Sequence, residues 1–235
     1  MTAKIVMLAR ANDAAAETEF RAQALGSDDP FGEHRRIAFQ GPCDISAGVV
    51  AFSGTVETAR FPHVEMLVVH SGMLEIEGAG KTLHLGVGQG AVIGANSAVH
   101  IAARQGAVFA FCAAASNAPS GLVEIDDKAA LSTSNPPPAE FLVGPVPSCR
   151  NVTPFQDQTV GFRAGVWDST PYVRRMLPHR LNELMHITEG SVTLTDGASY
   201  SATVNSGDTV FVPKDAPCTW ESTVKVRKFF AIQAF

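Results

Sequence analysis

Charged side chains are scarce in this sequence of 235 residues. Asp, Glu, Lys and Arg make up 17% of it, whereas hydrophobic residues make up 46%. The formal net charge is −5, and no run of Lys and Arg exceeds two residues apart from the dispersed Lys225, Arg227 and Lys228. Nucleic-acid binding needs a basic footprint, so the sequence predicts no nucleic-acid partner. The large apolar share predicts buried cores and some apolar surface that another domain or subunit covers.

Long hydrophobic runs and closely spaced cysteine pairs are also missing. The apolar stretch within residues 1–10 is too short for a secretory signal, and the nearly uncharged stretch 106–122 contains Pro119 and many small polar residues, which suit a membrane span poorly. The four cysteines lie far apart, at Cys43, Cys112, Cys149 and Cys218. Disulfides are therefore not the default, and we expect a reduced, cytoplasmic protein without a membrane partner.

The sequence contains an internal repeat, because five short matches recur in one order at an offset of 116 to 118 residues. The pairs are Phe39-Gln40 with Phe155-Gln156, 47–49 with 164–166, Pro62-His63 with Pro178-His179, 65–72 with 183–190, and Gly90 with Gly207. One such match means little, but five in order indicate a duplication.

A proline-rich segment, STSNPPPAE at 132–140, separates the two copies. Three consecutive prolines cannot donate to a sheet ladder, and they favour a stiff, extended spacer. We therefore predict an N-terminal domain at 1–131, a linker at 132–140 and a C-terminal domain at 141–235.

Short apolar runs between turn signals predict an all-β fold with eight strands in each copy. The predicted strands of copy one are 47–52, 55–61, 65–69, 73–77, 81–85, 91–93, 98–103 and 107–113. Those of copy two are 162–167, 172–177, 183–187, 191–195, 200–204, 209–212, 218–222 and 226–233. A single helix is predicted, from Asp13 to Leu25, where Ala, Glu and Arg predominate.

Two stretches of copy two, LPHRLNELMHITEGSVTL at 177–194 and SGDTVFVPKDAPCTWESTVKVRKFF at 206–230, resemble the two motifs of the cupin superfamily. Those motifs are G-(x)5-H-x-H-(x)3-4-E-(x)6-G and G-(x)5-P-x-G-(x)2-H-(x)3-N. The spacings Glu183-(x)6-Gly190 and Gly207-(x)5-Pro213 match them. The Pro-Lys pair, the Trp-Glu pair and the closing basic-aromatic strand are similar to the ureidoglycine aminohydrolase-like subgroup. Copy one matches only the general pattern, through Glu65-(x)6-Gly72 and Gly88-(x)5-Gly94.

The resemblance implies two tandem jelly-roll (double-stranded β-helix) barrels that enclose a small-molecule ligand, often with one divalent metal such as Zn, Mn, Ni or Fe. It also implies a monomer that resembles a dimer, or a homodimer. Cupin metals are held by two His and one Glu of the first motif and one His of the second. In copy two these positions carry Leu177, His179, Glu183 and Cys218, so His179, Glu183 and Cys218 are the candidate metal ligands.

His179 and Glu183 can meet only if the chain turns between them, since four residues of straight strand span about 13 Å. Asn182 favours such a turn. A thiolate at Cys218 would favour Zn²⁺ over Mn²⁺. Alternatively, Cys218 is a small buried residue that fills the barrel.

Copy one carries Phe61 and Glu65 at the positions of His179 and Glu183. His63 and His100 both miss the ligand positions, and a shift of one residue turns a strand side chain to the other face. Glu65 is therefore expected to be a polar group that lines the barrel.

Five further positions are candidates for ligand contacts or packing. Trp220 shares strand parity with Cys218, so it either stacks on a ligand or fills the barrel. Lys214 follows Pro213 at the expected barrel mouth, where it could meet an anionic group. Arg175 shares parity with His179, and if it points inward it needs a carboxylate such as Glu183, which would replace the metal. His70 and His186 are expected at a packing surface or an interface.

Three functional hypotheses follow. The first is a small-molecule enzyme of copy two, a metal-assisted aminohydrolase-like hydrolase of a nitrogen-containing or carboxylate metabolite, with His179 and Glu183 as metal ligands or as an acid/base pair. The second is a non-catalytic bicupin that binds or senses a ligand without metal. In the third, copy one is a degenerate structural copy that supports an active copy two.

Overall fold

Short alternating segments form the β-strands of two jelly-roll barrels, as predicted. The computed structural model describes residues 4–11, 16, 18–118, 121–197 and 200–234. The strands are β1 Val6–Ala9, β2 Arg21–Ala22, β3 Arg35–Gln40, β4 Ser46–Thr58, β5 His63–Gly78, β6 Lys81–Leu85, β7 Gly90–Ile93, β8 Val99–Ala115, β9 Leu122–Ile125, β10 Ser132–Ser134, β11 Leu142–Val143, β12 Cys149–Asp157, β13 Phe162–Ser169, β14 Tyr172–Pro178, β15 Asn182–Glu189, β16 Ser191–Thr195, β17 Ser201–Asn205, β18 Thr209–Val212, β19 Pro217–Ser222 and β20 Val226–Gln233.

The strands form antiparallel sheets around two interiors. In the first barrel the order is β2-β3-β4-β8-β5-β7-β9, with β6 paired to β5. The second barrel has two facing sheets, β1-β18-β15-β20-β13-β12-β10 and β11-β14-β19-β16-β17. Single 3-10 turns lie at Gly32–His34, Pro42–Asp44 and Ala139–Phe141.

Long strands of the first barrel correspond to pairs of shorter strands in the second. The predicted strands 47–52 and 55–61 merge into β4, whereas β13 and β14 stay separate in the second barrel. Pro171 lies in the gap between β13 and β14, and it has no N–H to donate to a ladder. In β4 the same bend is made by a register shift between Phe52 and Gly54, which keeps the strand continuous.

The glycines that end the two E-(x)6-G spacings bend the chain at equivalent places. Gly72 has φ +69° and Gly190 has φ +82°. A Cβ would lie 2.5 Å from the carbonyl oxygen of Arg104 at Gly72, and 2.0 Å from that of Lys225 at Gly190. Both positions therefore require glycine, because a side chain would be strained in its backbone and would collide with a neighbouring strand.

The described residues form three buried apolar clusters, one of which joins the two barrels. One fills the interior of the first barrel, around Phe61 and Phe109, and another fills part of the second, around Met185 and Val212. The third lies between the barrels and joins residues of both copies, among them Met66, Phe211 and Phe229. The outer faces of both barrels are thus buried against each other, as the large apolar share of the sequence suggested.

The proline-rich segment is hydrogen-bonded at both ends rather than free. Strand β10 pairs with β12, at the edge of one sheet of the second barrel, and β11 pairs with β14, at the edge of the facing sheet. Residues 132–143, which we call the linker strap, therefore cross the gap between the two sheets and close one side of the second barrel.

The N-terminal segment also belongs to the second barrel, because β1 pairs with β18. The predicted domain bounds at 131/132 and 140/141 stay a prediction. The predicted helix is wrong where it can be compared: Thr18–Phe20 are irregular and Arg21–Ala22 form β2, which pairs with β3. Residues 13–15 and 17 lie outside the described residues. Pairing with β3 outweighs helix propensity, which is a weak preference.

Among the described residues there is no helix of the length and apolar character needed to cross a membrane.

Candidate functional site

The second barrel contains a cavity of about 360 Å³ between its two sheets. Strands β12 to β15, β19 and β20 supply most of its walls, and Asn135 to Pro138 of the linker strap supply another part. This volume is at the lower end of ligand pockets, so the cavity suits a small metabolite.

A turn at 179–182 brings together the two residues that the motif singled out. The backbone between β14 and β15 bends at Arg180 and Leu181, and Nε2 of His179 lies 3.0 Å from Oε2 of Glu183. The turn that the sequence required is therefore present. Because an ionised carboxylate can only accept, Nε2–H of His179 is the donor in this bond.

Glu183 is bound on its other oxygen by a lysine that the sequence analysis did not select. Nζ of Lys228 lies 2.8 Å from Oε1 of Glu183. Burial alone would raise the pKa of Glu183, but the Lys228 ammonium and the hydrogen bond from His179 outweigh it and lower the pKa to about 2. Glu183 is therefore ionised at neutral pH, with both oxygens occupied.

Aromatic rings enclose the Lys228 ammonium. Its Nζ lies 4.9 Å from the ring centroid of Trp167 and 5.1 Å from that of Trp220. Trp220 stacks on Tyr172 at 5.4 Å and 10°, which fixes its ring. Cation–π contacts stabilise a charged ammonium where water is largely excluded. Trp220 therefore lines the cavity and packs in its wall at the same time.

An arginine does point into the second barrel, but it is Arg174 rather than Arg175. The register of β14 against β19 shifts between Arg174, which faces Trp220, and Leu177, which faces Cys218. This bulge inserts one extra residue into β14, so the residues before it face the opposite side from the one that simple alternation back from His179 would give. Arg175 is therefore exposed. Nη2 of Arg174 donates to the carbonyl oxygen of Cys218 at 3.1 Å, and its buried Nε has no hydrogen-bond partner among the described residues.

The candidate metal ligands do not fit a divalent metal. Both oxygens of Glu183 are occupied, Leu177 replaces the first His, and burial raises the pKa of the Cys218 thiol to about 11. Metal ligands must be deprotonated with a free lone pair, whereas Sγ of Cys218 donates to the carbonyl oxygen of Thr219. Across the part of the chain that the structure describes, no group of three or more His, Cys, Asp and Glu could hold a metal ion.

In the first barrel, Glu65 is completely buried and binds Arg35. Nη2 and Nη1 of Arg35 lie 2.7 and 3.2 Å from the two oxygens of Glu65, and Nε lies 2.7 Å from Oδ2 of Asp29. His63 contacts Oε2 of Glu65 at 3.3 Å, and Phe61 belongs to the apolar core. Glu65 is thus the anion of an internal ion-pair network.

The remaining predicted residues lie away from the cavity. The side chain of Lys214 is exposed and does not line the cavity. His70 and His186 lie between the barrels, where both approach Oγ1 of Thr209, at 2.7 and 2.9 Å. His100 lies on β8, where it faces Glu57 of β4 and Glu77 of β5, away from Glu65.

The sequence of β20 contains a signal for the inward position of Lys228. In β20 the residues Val226, Lys228, Phe230 and Ile232 alternate with Arg227, Phe229, Ala231 and Gln233. A lysine in phase with three apolar residues points to the same interior as they do. By contrast, no local pattern marks the bulge that turns Arg174 inward.

Comparisons with known proteins agree with this fold. The model of the EutQ-like cupin domain matches residues 156–230, most of the second barrel. A solved structure from Pseudomonas syringae pv. tomato, described as a protein of unknown function in the DUF861 family, is 40% identical, with a TM-score of 0.95 over 98% of this chain and 99% of that one. No curated protein gives a significant match.

Two more distant structures share the fold alone. A Cupin 2 conserved barrel domain protein from Leptotrichia buccalis is 12% identical, with a TM-score of 0.59 over 85% of this chain and 88% of that one. The protein Ylba from E. coli, also described as DUF861, is 12% identical, with a TM-score of 0.55 over 99% and 92%. The family follows from the Pseudomonas relative, which is 40% identical over nearly the whole chain, and from the cupin-domain match: the chain belongs to the DUF861 family and carries a cupin domain.

Proposed function

We propose that the second barrel binds a small metabolite that carries a carboxylate, and that it does so without a metal. The observation that carries the proposal is Arg174, whose buried Nε lacks a partner among the described residues. An unsatisfied donor of a charged group in a buried position is costly unless a ligand completes it. Carboxylates are among the anions that a guanidinium binds best, through paired N–H groups.

The charges that line the cavity support an anionic ligand. Among the described residues that line it, four are cationic and one is a carboxylate, namely Arg163, Arg174, Arg180, Lys228 and Glu183. The whole chain has a net charge of −5, so this concentration of positive charge is local. A cleft lined by one sign of charge attracts ligands of the opposite sign.

The rest of the lining suits a flat body with polar nitrogen or oxygen groups. Trp167, Trp220 and Phe230 offer aromatic faces, and Asn151 and Thr153 offer hydrogen-bonding groups. The proposed class is therefore a small carboxylate with a planar polar group, such as an amide or ureido group.

Calorimetric titration tests this proposal, with N-carbamoylglycine as a simple ureido carboxylate, succinate as a dicarboxylate, and N-carbamoylglycinamide as the uncharged match of the first. We expect carboxylates to bind and the amide not to bind. Substituting Arg174→Gln removes a charged hydrogen-bond donor worth about 1.5–3 kcal/mol, so affinity should fall roughly 10- to 150-fold.

The matched control is Arg175→Gln, which removes the same charge from the adjacent, exposed position and should leave affinity unchanged. Equal binding of the acid and the amide, or equal losses in both variants, would contradict the role of Arg174.

A second candidate is hydrolysis of such a ligand, which the hydrogen bond between His179 and Glu183 favours. The bond orients the imidazole, whose side chain is 14% exposed, and leaves Nδ1 as the nitrogen that could accept a proton from water. The resemblance to ureidoglycine aminohydrolase-like cupins suggests release of ammonia from a ureido group. The titrated samples can be assayed for ammonia: release that His179→Ala abolishes supports the enzyme, and binding without release supports the non-catalytic alternative.

A further inference from the structure

We infer that each barrel contains one internal cation that neutralises its motif glutamate, and that the strand carrying this cation decides whether the barrel is filled or open. In the first barrel the cation is Arg35 on β3, and in the second it is Lys228 on β20. The second barrel has a cavity because Asn151 occupies the position that Arg35 occupies in the first. Only the part of this inference that concerns ligand binding rests on the proposed function.

The strand registers align the two barrels row by row. Arg35 faces Val50 on β4, and Val50 faces Phe109 on β8. In the second barrel Asn151 faces Trp167 on β13, and Trp167 faces Lys228 on β20. The rows are therefore Arg35, Val50 and Phe109 in one barrel, and Asn151, Trp167 and Lys228 in the other.

In the first row the cation crosses the interior. Arg35 has no exposed surface, and its guanidinium reaches Glu65 and Asp29, each at 2.7 Å. Its Cζ lies 5.0 Å from the ring centroid of Phe31 and 4.4 Å from that of Phe111. The side chain thus occupies the centre of the barrel, where a ligand of the first copy would have to lie.

In the second row the cation follows the wall. Lys228 starts on β20, next to β15, and its ammonium reaches Glu183 past Met185, whose Sδ is 2.9 Å from Nζ. Asn151 is short and lines the cavity instead of crossing it. The counter-charge of the glutamate is preserved, while the centre of the barrel is left open.

The cations of the two barrels occupy different positions in the repeat, because Phe109 matches Lys228 and Asn151 matches Arg35. The glutamate is thus neutralised by a side chain in both copies, but by a different strand in each. A buried carboxylate needs such a partner to remain ionised. Neither barrel requires a metal for this charge, and the cavity that the described residues enclose around the motif glutamate lies in the second barrel.

Acrylamide quenching of tryptophan fluorescence tests the inference without knowledge of the ligand. The chain has two tryptophans, and both line the second cavity. We expect acrylamide to quench the wild-type protein, and Asn151→Arg to lose most of this quenching because the longer side chain fills the cavity. The double variant N151R/K228F, which places the Arg and the Phe of the first row at the two ends of the second row, should behave in the same way. Gln156→Arg is the matched control, since Gln156 is exposed on the same strand and does not line the cavity.

Unchanged quenching in folded N151R would overturn the inference. If N151R fails to fold, Asn151→Met fills part of the same space without a buried charge, and unchanged quenching in that variant would overturn it equally. Failure of the proposed function is distinguishable: wild type would then bind no carboxylate, although N151R still reduced quenching. If carboxylates bind, N151R should lose that binding and Q156R should keep it.

Discussion

Removing Arg35 from the first barrel should be among the most destabilising single substitutions in the chain. Arg35→Met keeps most of the apolar volume between Phe31 and Phe111 but deletes the guanidinium. Two carboxylates, Asp29 and Glu65, are then left buried without their cation. Breaking one buried ion pair costs about 3–5 kcal/mol, and here one cation serves two anions, so we expect a loss of about 5 kcal/mol.

A triple variant that removes all three buried charges of this network provides the comparison for stability. In the triple variant D29N/R35M/E65Q no buried charge remains unpaired, and the stability should return to within about 2 kcal/mol of wild type. A residual loss is expected because both oxygens of Asp29 accept backbone N–H groups, from Leu25 and Phe31. An Asn side chain has one acceptor oxygen, so one of these bonds is lost.

Urea denaturation followed by two signals measures these effects. Circular dichroism reports both barrels, whereas tryptophan fluorescence reports the second alone, because Trp167 and Trp220 both lie there. A shift in both signals would indicate that the apolar cluster between the barrels couples their unfolding. The reasoning is refuted if R35M loses less than about 1 kcal/mol, or if the triple variant is no more stable than R35M.

Two further predictions concern the second barrel. Because the folded pKa of Glu183 is lowered from 4.5 to about 2, its ionisation stabilises the fold fully above about pH 4.5, by at most about 3 kcal/mol, and this contribution disappears as the pH falls towards 2. The stability difference between wild type and Glu183→Gln, from urea titrations across this range, should therefore shrink on acidification; a constant difference would contradict the ion pair with Lys228. Protein purified without chelators or nickel resin should carry far less than one Mn, Zn, Fe or Ni per chain by elemental analysis, and its thermal midpoint should not move with EDTA; a stoichiometric metal would contradict the occupied state of Glu183.

Much of the second barrel was predictable because its strands are short and separated by strong turn signals. All eight predicted strands there begin within one residue of the observed strands, and five of them begin at the same residue. The first barrel was harder, since whether two segments merge depends on bulges such as the one at Phe52 and Gly54, which are set by pairing with β8. Local sequence does not encode that pairing.

The site was predictable only where the motif gave fixed spacings. The turn that joins His179 and Glu183 followed from strand geometry, but Arg174 depends on a bulge. Arg35 shows the same limit: Arg35 and Arg36 are adjacent and identical in type, yet one is completely buried and the other exposed. The difference comes from the strand face and from Asp29 in a preceding loop.

Strand β1 imposes an order on the assembly of the molecule. Val6 pairs with Phe211 and Met7 with Val210, so a segment that leaves the ribosome early must wait for one that leaves near the end of synthesis. Closing a loop of that length is entropically costly, and long-range pairing of this kind slows folding. Until it forms, β18 has an open edge, which could recruit strands from other nascent chains. Excision of 141–235 as a separate fragment would leave the same edge permanently uncovered.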